Sequence, residues 1–404
     1  MLPNSYSPAL RNFACVTAMA TLFLISLGGL VTSREAGMAV PDWPQTYGSN
    51  MFFFPFARWQ GEIFYEHTHR QAASAVGLLT AILAIWFFGS SARRFLRFGG
   101  FTLLIVGAVL ILIAPARRHE TWLLLGVGAV AAASSFFWPR CLSAPPLMRR
   151  LGLIAFVGVV LQGVLGGLRV TLQKDGIGIF HATLAQLFFV LVTILALFTT
   201  LSWNRLPVDV EKRANPRWWL VVTSSLIFAQ LVLGATMRHE HAGLSIPDFP
   251  LAYGKLWPGT DPASIAVYNQ QRVEVYGSKP ITAVQVQLQM IHRLSAILIF
   301  GAVLGCAVVC WRNFGRSHFL SYGTGVWLFL ILTQIALGAA TIWTGKSPDI
   351  ATAHVAVGAL SLALGSVLSL GAFRIRAARE FSVGERLPQN PSFLPASGIV
   401  SRSS

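Results

Sequence analysis

Charged residues are scarce in this chain. They make up 11% of its 404 residues, against 54% for hydrophobic residues, whereas soluble domains carry roughly 25%. This deficit, with a mean hydropathy of +0.61, excludes an ordinary soluble domain and indicates a membrane protein. The formal net charge of +16 does not indicate nucleic-acid binding, because the basic residues stand in short clusters between apolar runs. That pattern is typical of a membrane protein whose loop charges set its orientation.

Cysteine is also scarce, and its positions exclude two kinds of site. Cys15, Cys141, Cys306 and Cys310 lie within or beside apolar runs, and no loop contains a CxxC pair. Neither a zinc site nor a disulfide framework is therefore indicated. A small-residue cleavage site after the first apolar run is missing, as is an Arg- and Ser-rich transit peptide, so we interpret this run as a first transmembrane helix.

Long apolar runs are what the sequence has in abundance, and a membrane-spanning helix needs roughly 20 apolar residues. Ten runs approach this length, at about 13–33, 69–89, 99–116, 120–138, 151–169, 181–201, 218–238, 290–311, 319–341 and 351–373. Basic clusters follow every second run, which predicts that these loops and both termini are cytoplasmic. We expect an all-α polytopic protein of a bacterial plasma membrane, with the mitochondrial inner membrane as the alternative.

The two halves of the chain repeat each other. Residues 36–48 read AGMAVPDWPQTYG and residues 242–254 read AGLSIPDFPLAYG, and each segment opens a long loop. Matching histidines and arginines follow downstream: His69-Arg70 with His292-Arg293, and His181 with His354. Both copies have the same polarity, so the pattern predicts a parallel repeat.

The spacing of the matched histidines indicates an insertion in the first half. The interval from His69 to His181 is much longer than that from His292 to His354, and the excess suffices for two spans and a turn at about 91–148. We therefore predict two pseudo-symmetric four-helix bundles in parallel tandem repeat, with an inserted helical hairpin. Two domains follow from this division: residues 1–210 with the hairpin, and residues 211–404 with a cytoplasmic tail.

Four of the nine histidines begin apolar spans: His69, His181, His292 and His354. The predicted topology makes all four helices run inwards, which brings the imidazoles to a similar depth near the outer surface. Polar residues are common at the ends of membrane helices, but four matching histidines in two repeats favour a function. Histidines on separate helices suit the two axial positions of a haem iron, whereas a small metal ion needs three or four converging ligands.

Charged neighbours accompany these histidines. Arg70 and Arg293 each follow a motif histidine and are candidates to pair with haem propionates, the alternative being arginines that extend to the interface. Glu66 lies three residues before His69, on the same helix face, and its counterpart in the second half is Gln289. This asymmetry favours proton or charge chemistry in the first half; the alternative is an interfacial acid beside Arg70.

These motifs resemble those of the haem A synthase family. The segment Glu66-His67-Thr68-His69-Arg70 resembles its Glu-x-x-His-Arg motif, and the other three span-initiating histidines fall where that family has its own. Residues 41–44 and 247–250 resemble its outer-loop signature. The resemblance covers roughly 10–90 and 150–375.

The resemblance implies an oxidoreductase that converts haem O to haem A, oxidising a ring methyl group to a formyl group by successive hydroxylations. His69 and His181 would hold the substrate haem O, His292 and His354 would hold a haem B cofactor for electron transfer, and Glu66 would act beside the reacting methyl. The implied partners are the lipid bilayer, haem O synthase and cytochrome oxidase assembly factors, and a homo-oligomer stays open.

The sequence departs from that family in two places, and other functions stay open. Some members of that family carry a cysteine pair in an outer loop, whereas residues 34–66 and 239–289 of this chain contain no cysteine. The insertion at about 91–148 is also unusual for the family. One alternative is a di-haem, cytochrome b-like membrane electron carrier that oxidises a quinol. Another is a transporter with histidine proton relays. His67 is either an alternative ligand or a loop residue.

Overall fold

The computed structural model describes residues 6–113, 118–139, 141, 143–204, 206, 216–276 and 280–385, and these are almost entirely helical. The helices in them are α1 (Pro8–Ser33), α2 (Gly61–Trp86), α3 (Ser91–Ile113), α4 (Arg118–Phe137), α5 (Pro146–Leu172), α6 (Asp175–Thr199), α7 (Leu201–Asn204), α8 (Arg217–His239), α9 (Pro262–Tyr276), α10 (Ala283–Phe314), α11 (Phe319–Trp343) and α12 (Pro348–Glu385). Within this part of the chain the one sheet is a hairpin of β1 (Gln45–Thr46) and β2 (Ser49–Asn50). The predicted all-α class is confirmed, and the predicted cytoplasmic tail beyond residue 385 lies outside the described residues.

Eight helices of the described chain are long and apolar enough to cross a membrane, which confirms a multi-pass membrane protein: α1, α3, α5, α6, α8, α10, α11 and α12. Two of the predicted spans fall below this measure. The helix α2 is 26 residues long but carries Glu62, Glu66 and Arg70 in its first half. In α4, the apolar stretch that the structure describes in full is Leu124–Phe137.

The long helices contact one another in two closed cycles. In the first half α1 packs against α2 and α6, and α5 packs against the same two helices. In the second half α8 packs against α10 and α12, and α11 packs against the same two. The cycles meet where α12 contacts α1 and α6, and where α6 contacts α8. We call this junction the seam; buried side chains such as Ile25, Phe189 and Ala359 fill it.

The helices α3 and α4 pack mainly against each other, in the region of the predicted insertion. Their backbones nearly touch, because a Cβ on Gly100 would lie 2.8 Å from the carbonyl oxygen of Gly128. Lipid tails are as apolar as leucine, so close packing through small residues is what associates such helices in a membrane. Backbone hydrogen bonds, including one from Ala144 to Phe87 at 2.8 Å, attach the base of this hairpin to α2.

The connections 34–60 and 240–282, which we call the first and second outer loops after the predicted topology, fold alike at their repeated segments. In the first loop the Asp42 carboxylate accepts hydrogen bonds from the backbone N–H groups of Tyr47 and Gly48, at 2.8 and 2.7 Å. The second loop repeats these bonds, with Asp248 as acceptor and Tyr253 and Gly254 as donors. Each loop also has one cis peptide bond, Trp43–Pro44 and Phe249–Pro250. The sequence repeat therefore extends to the loop backbone.

Candidate functional site

The four histidines lie on four helices of matching order: His69 on α2, His181 on α6, His292 on α10 and His354 on α12. Each lies about two helical turns inside its helix. The apolar pattern instead predicts that each histidine stands near the start of its span. The reason is that each helix begins with residues that are less apolar than the run that follows. At α10, for example, the side chains of Thr282 and Gln285 form a reciprocal capping box ahead of the apolar run,.

Each imidazole packs against a glycine on the preceding long helix of its half. The pairs are His69 with Gly28, His181 with Gly166, His292 with Gly234 and His354 with Gly338, and a Cβ on the glycine would lie between 3.1 and 3.5 Å from the imidazole Cε1. A Cβ at Gly28 would be closer to the ring than an ordinary contact, and at the other three glycines it would touch the ring, which leaves no room for a larger side chain. The same contact thus recurs in all four helix pairs, which extends the repeat from two halves to four hairpins.

A glutamine one turn before the glycine fixes the histidine backbone in three of these pairs. The bonds run from the side-chain amides of Gln162, Gln230 and Gln334 to the carbonyl oxygens of His181, His292 and His354, at 3.2, 2.9 and 2.9 Å respectively. In the first pair Leu24 stands at the corresponding position. A Gln-x-x-x-Gly pattern ahead of three of the four histidine helices is the sequence signal that would have found Gln230.

One ring nitrogen of each histidine is left without a partner. The Nδ1 atoms of His69, His181, His292 and His354 are buried and have no hydrogen-bond partner, although each residue keeps some accessible surface. Unmade hydrogen bonds of buried groups cost about 1–3 kcal/mol each. Rings that are fixed in place, partly accessible and unsatisfied are suited to a bound group that uses imidazole.

The histidines interact electrostatically within each half. His69 has His181 as a neighbour, and His292 has His354. Among the described residues, no group of three or more His, Cys, Asp or Glu side chains converges as a metal site. The arrangement thus offers two imidazoles per half, the ligand set of a six-coordinate haem iron.

Glu66 and Gln289 make the same contact in the two halves. An Oε atom of Glu66 accepts the backbone N–H of Val40 at 2.8 Å, and that of Gln289 accepts the N–H of Ile246 at 2.7 Å. The second carboxylate oxygen of Glu66 pairs with Arg70 at 2.6 Å, and both side chains are buried. Both residues therefore attach an outer loop to a histidine helix, and what differs between the halves is the charge.

The candidate propionate partners also contact the outer loops. Arg70 donates to the carbonyl oxygens of Val40, Asp42 and Gln45 at 2.7 to 3.0 Å. Arg293 donates to the carbonyl oxygens of Asp248 and Leu251 at 2.8 and 2.9 Å, and its Nε is buried without a partner. The terminal nitrogens of both guanidinium groups thus serve as loop anchors, a role that the sequence pattern did not predict.

His67 lies apart from the histidine pairs. Its Nδ1 is 3.3 Å from Thr46 Oγ1 and its Nε2 is 3.2 Å from Gln71 Nε2, and its ring packs edge-on against Trp59 with centroids 4.3 Å apart. The side chain is fully buried. Because both ring nitrogens have neighbours within hydrogen-bond distance, His67 is part of the loop packing.

Two electrostatic features of the first half lie close to the site. Burial raises the pKa of Asp42, but hydrogen bonds from the backbone N–H groups of Gly48 and Tyr47, together with the nearby Arg70 charge, outweigh burial and hold the pKa below its usual 3.8,. On α5, Arg169 is an electrostatic neighbour of both His69 and His181. The first site is therefore rich in positive charge.

Fold and site together define the class: a polytopic α-helical membrane protein in which two tandem sets of helices each bring two histidines together. Residues 118–365 match the COX15-CtaA family model, described as cytochrome oxidase assembly protein. This chain belongs to that family.

Its relatives match over most of their length. A protein named Heme A synthase from Geobacillus kaustophilus (strain HTA426) is 26% identical, over 94% of this chain and 98% of the relative. One of the same name from Rhizorhabdus wittichii is 26% identical, over 89% of this chain and 93% of the relative. A third, from Bacillus licheniformis, is 25% identical over 86% and 90% respectively.

Proposed function

We propose that this protein is an oxidoreductase of haem A biosynthesis that converts haem O to haem A. Membership of a cytochrome oxidase assembly family and full-length similarity to proteins named Heme A synthase support the reaction. The observation that carries the proposal is the fourfold arrangement of histidine against glycine, with the same ring nitrogen left unsatisfied in every copy. Four such rings in two pairs fit two haems.

The proposal gives each half one haem. In the second half, His292 and His354 would hold a resident haem B, which when bound supplies one-electron transfer. In the first half, His69 and His181 would hold the substrate haem O. The two cycles of helices then correspond to a tandem duplication, residues 1–210 and 211–404, with both termini on the cytoplasmic side.

What the chain itself contributes is position. Glycines opposite the rings keep side chains away from the imidazole edges, and glutamine amides hold the histidine carbonyls, so the rings need little reorganisation when a haem binds. In a membrane interior, a fixed pair of imidazoles also selects a flat bound group that fits between two helices. Arg70 and Arg293 hold the outer loops over the histidine helices, and a remaining bond to a haem propionate is compatible with the unpartnered Nε of Arg293.

Glu66 is the residue that we assign to the chemistry. The substrate methyl would become a formyl group by two successive hydroxylations. Each would break a C–H bond, form a C–O bond to water and release two electrons and two protons, the electrons passing to an acceptor outside the chain. The geminal diol would then lose water. Glu66 lies one turn from His69 on the same helix face, and Gln289 makes the equivalent loop contact without a charge. A fixed carboxylate beside the first pair stabilises positive charge that develops as electrons leave, and it can accept a proton. The interaction with Arg70 holds that carboxylate in place.

Pigment extraction tests the proposal directly. The full chain, purified from membranes in mild detergent, should yield haem B together with haem O or haem A. Haem B alone would favour a di-haem electron carrier that leaves the porphyrin unchanged. A colourless protein would favour a transporter, in which the histidines carry protons. Either of these two results contradicts the proposed reaction.

A further inference from the structure

Two cations of the second half are electrostatic neighbours near the beginning of α12. Arg238 is near the end of α8, and Lys346 is in the turn between α11 and α12. Each is an electrostatic neighbour of the other, and Arg238 is also a neighbour of His354. Both side chains are partly buried, and burial lowers the pKa of Lys346 below its usual value.

Arg238 joins the two halves of the protein. Its Nη2 donates to Ser33 Oγ on α1 at 2.7 Å. Its Nη1 would lie 3.7 Å from a Cβ on Gly29, and that same Cβ would lie 3.6 Å from Thr352 Cγ2. Thr352 lies on α12, and Arg238 is an electrostatic neighbour of His354 on the same helix, so the guanidinium group lies near the first turns of α12.

Neither cation has a close acidic partner in the described part of the chain. Among the side chains that the structure describes, neither Arg238 nor Lys346 forms an ion pair within 4.0 Å, whereas Arg70 does so with Glu66. Glu35 attracts Lys346 from a greater distance, and Glu35 is exposed. Two like charges held together at a partly buried place disfavour one another, and a buried charge without a counter-charge is unfavourable. An anionic group bound between them would relieve both penalties.

We infer that Arg238 and Lys346 form a binding site for a carboxylate, occupied by a propionate of the haem that His292 and His354 hold. The inference rests on the proposed function, because it names the occupant from the proposed haem. Arginine is the side chain best suited to bind a carboxylate through two parallel hydrogen bonds. The terminal nitrogens of Arg293, the other candidate in this half, already donate to loop carbonyls.

The phosphate of a lipid headgroup has similar chemistry, so the test must separate the two sources. Haem B and its dimethyl ester differ only in whether the propionates are free acids. Binding of each to the haem-depleted full chain is measured by absorbance, in a His69→Ala background so that the signal reports the second pair. The comparison includes the chain without further substitution and three variants: Arg238→Gln, Arg238→Lys and Lys346→Gln. The control is Arg34→Gln, which removes an exposed arginine at the end of α1 that Arg238 contacts.

The unsubstituted chain and Arg34→Gln should bind the free acid about tenfold more tightly than the ester, the size expected for loss of one charge-assisted contact. Arg238→Gln should lose most of this preference, because Lys346 alone cannot form two parallel hydrogen bonds with a carboxylate. Arg238→Lys and Lys346→Gln should retain a larger part of it. A misfolded variant would lose the ester as well as the acid, and the Lys variant and Lys346→Gln then carry the comparison.

A full preference for the free acid in Arg238→Gln would overturn the inference while leaving the proposed function intact. A chain that binds neither pigment, with no variant introduced, would overturn both. A second experiment tests lipid as the occupant: thermal stability of the chain is measured in nanodiscs of phosphatidylcholine with or without the anionic lipid phosphatidylglycerol. If Arg238→Gln abolishes a stabilisation by the anionic lipid and keeps the acid preference, the occupant is a lipid phosphate and the haem assignment is wrong.

Discussion

The side-chain amide of Gln334 donates a 2.9 Å hydrogen bond to the carbonyl oxygen of His354. A backbone carbonyl inside a helix is already the acceptor of a helical bond, so this extra donor ties the histidine backbone to the neighbouring helix α11. One turn further along α11, Gly338 faces the imidazole of the same histidine. Backbone and ring are therefore both fixed by one helix.

Replacing Gly338 with valine should remove the stable haem. A Cβ there would lie 3.4 Å from Cε1 of His354, and the added methyl groups of valine would displace the ring from its position. We expect haem B content to fall by at least about tenfold, a cost typical of an overpacked site. The matched control is Gly325→Val on the same helix, where a Cβ meets open space. Equal haem content in the two variants would contradict the prediction.

Glu66→Gln should separate the structural role from the chemical role. The amide oxygen can still accept the N–H of Val40, as Gln289 does for Ile246 in the second half, so both haem sites should persist. Haem A formation should fall by about 100-fold, the loss expected when a preorganised stabilising group is removed, with substrate or a hydroxylated intermediate accumulating. Chromatography of extracted haems measures this. Unimpaired haem A formation would end the assignment of Glu66, and Gln289→Glu is the reciprocal control.

Removing the ligands of the two halves should have different consequences. His292→Ala and His354→Ala should each eliminate the stable haem B, because an iron with one axial imidazole left is held much less tightly. His69→Ala and His181→Ala should leave haem B in place and prevent retention of haem O. Haem analysis of each purified variant distinguishes these outcomes, with His67→Ala as the control for a buried histidine outside the pairs. Loss of the same pigment from all four ligand variants would argue against two separate sites.

Protonation of Asp42 should weaken the first outer loop. The folded-state pKa lies below the unfolded value of 3.8, so the carboxylate contributes stability at pH values above 3.8. That contribution is lost as the pH falls through the lower, folded-state value. Thermal unfolding of the unsubstituted chain and Asp42→Asn should differ at pH 7 and converge below about pH 3.8. The difference should be small because the group is largely solvated. A difference that persists unchanged to the lowest pH would contradict this cause.

Much of the architecture is predictable from the sequence because membrane helices must satisfy their own backbone bonds and be apolar over a span. The all-α class and the repeated loops follow from that constraint and from the duplicated Pro-Asp motif. Helix starts were predicted too late, at His69 and His292 for example, since hydropathy detects the apolar run and not the polar turns before it. The helix α9 (Pro262–Tyr276) was missed for the same reason, because it is a loop helix without a long apolar run.

The site was predictable in its ligands and less so in its surroundings. The four histidines stand out by position in the repeat, but the contacts of Arg70 with loop carbonyls depend on how residues about 25 to 30 positions away fold back. A single sequence carries no local signal for such contacts. Arg238 was missed because its neighbours come from α1 and α12, helices that are distant along the chain and meet at the seam.

Gly28 and Gly29 are adjacent on α1 and face opposite ways. Gly28 abuts the ring of His69, while Gly29 abuts Arg238 and Thr352 of the other half. Because neither glycine has a side chain, only the backbone of α1 lies between His69 of the first half and Arg238 of the second half at this level. An electron that passed between pigments held by the two halves would thus have only the backbone of α1 and the van der Waals contacts on its two sides to cross at this level.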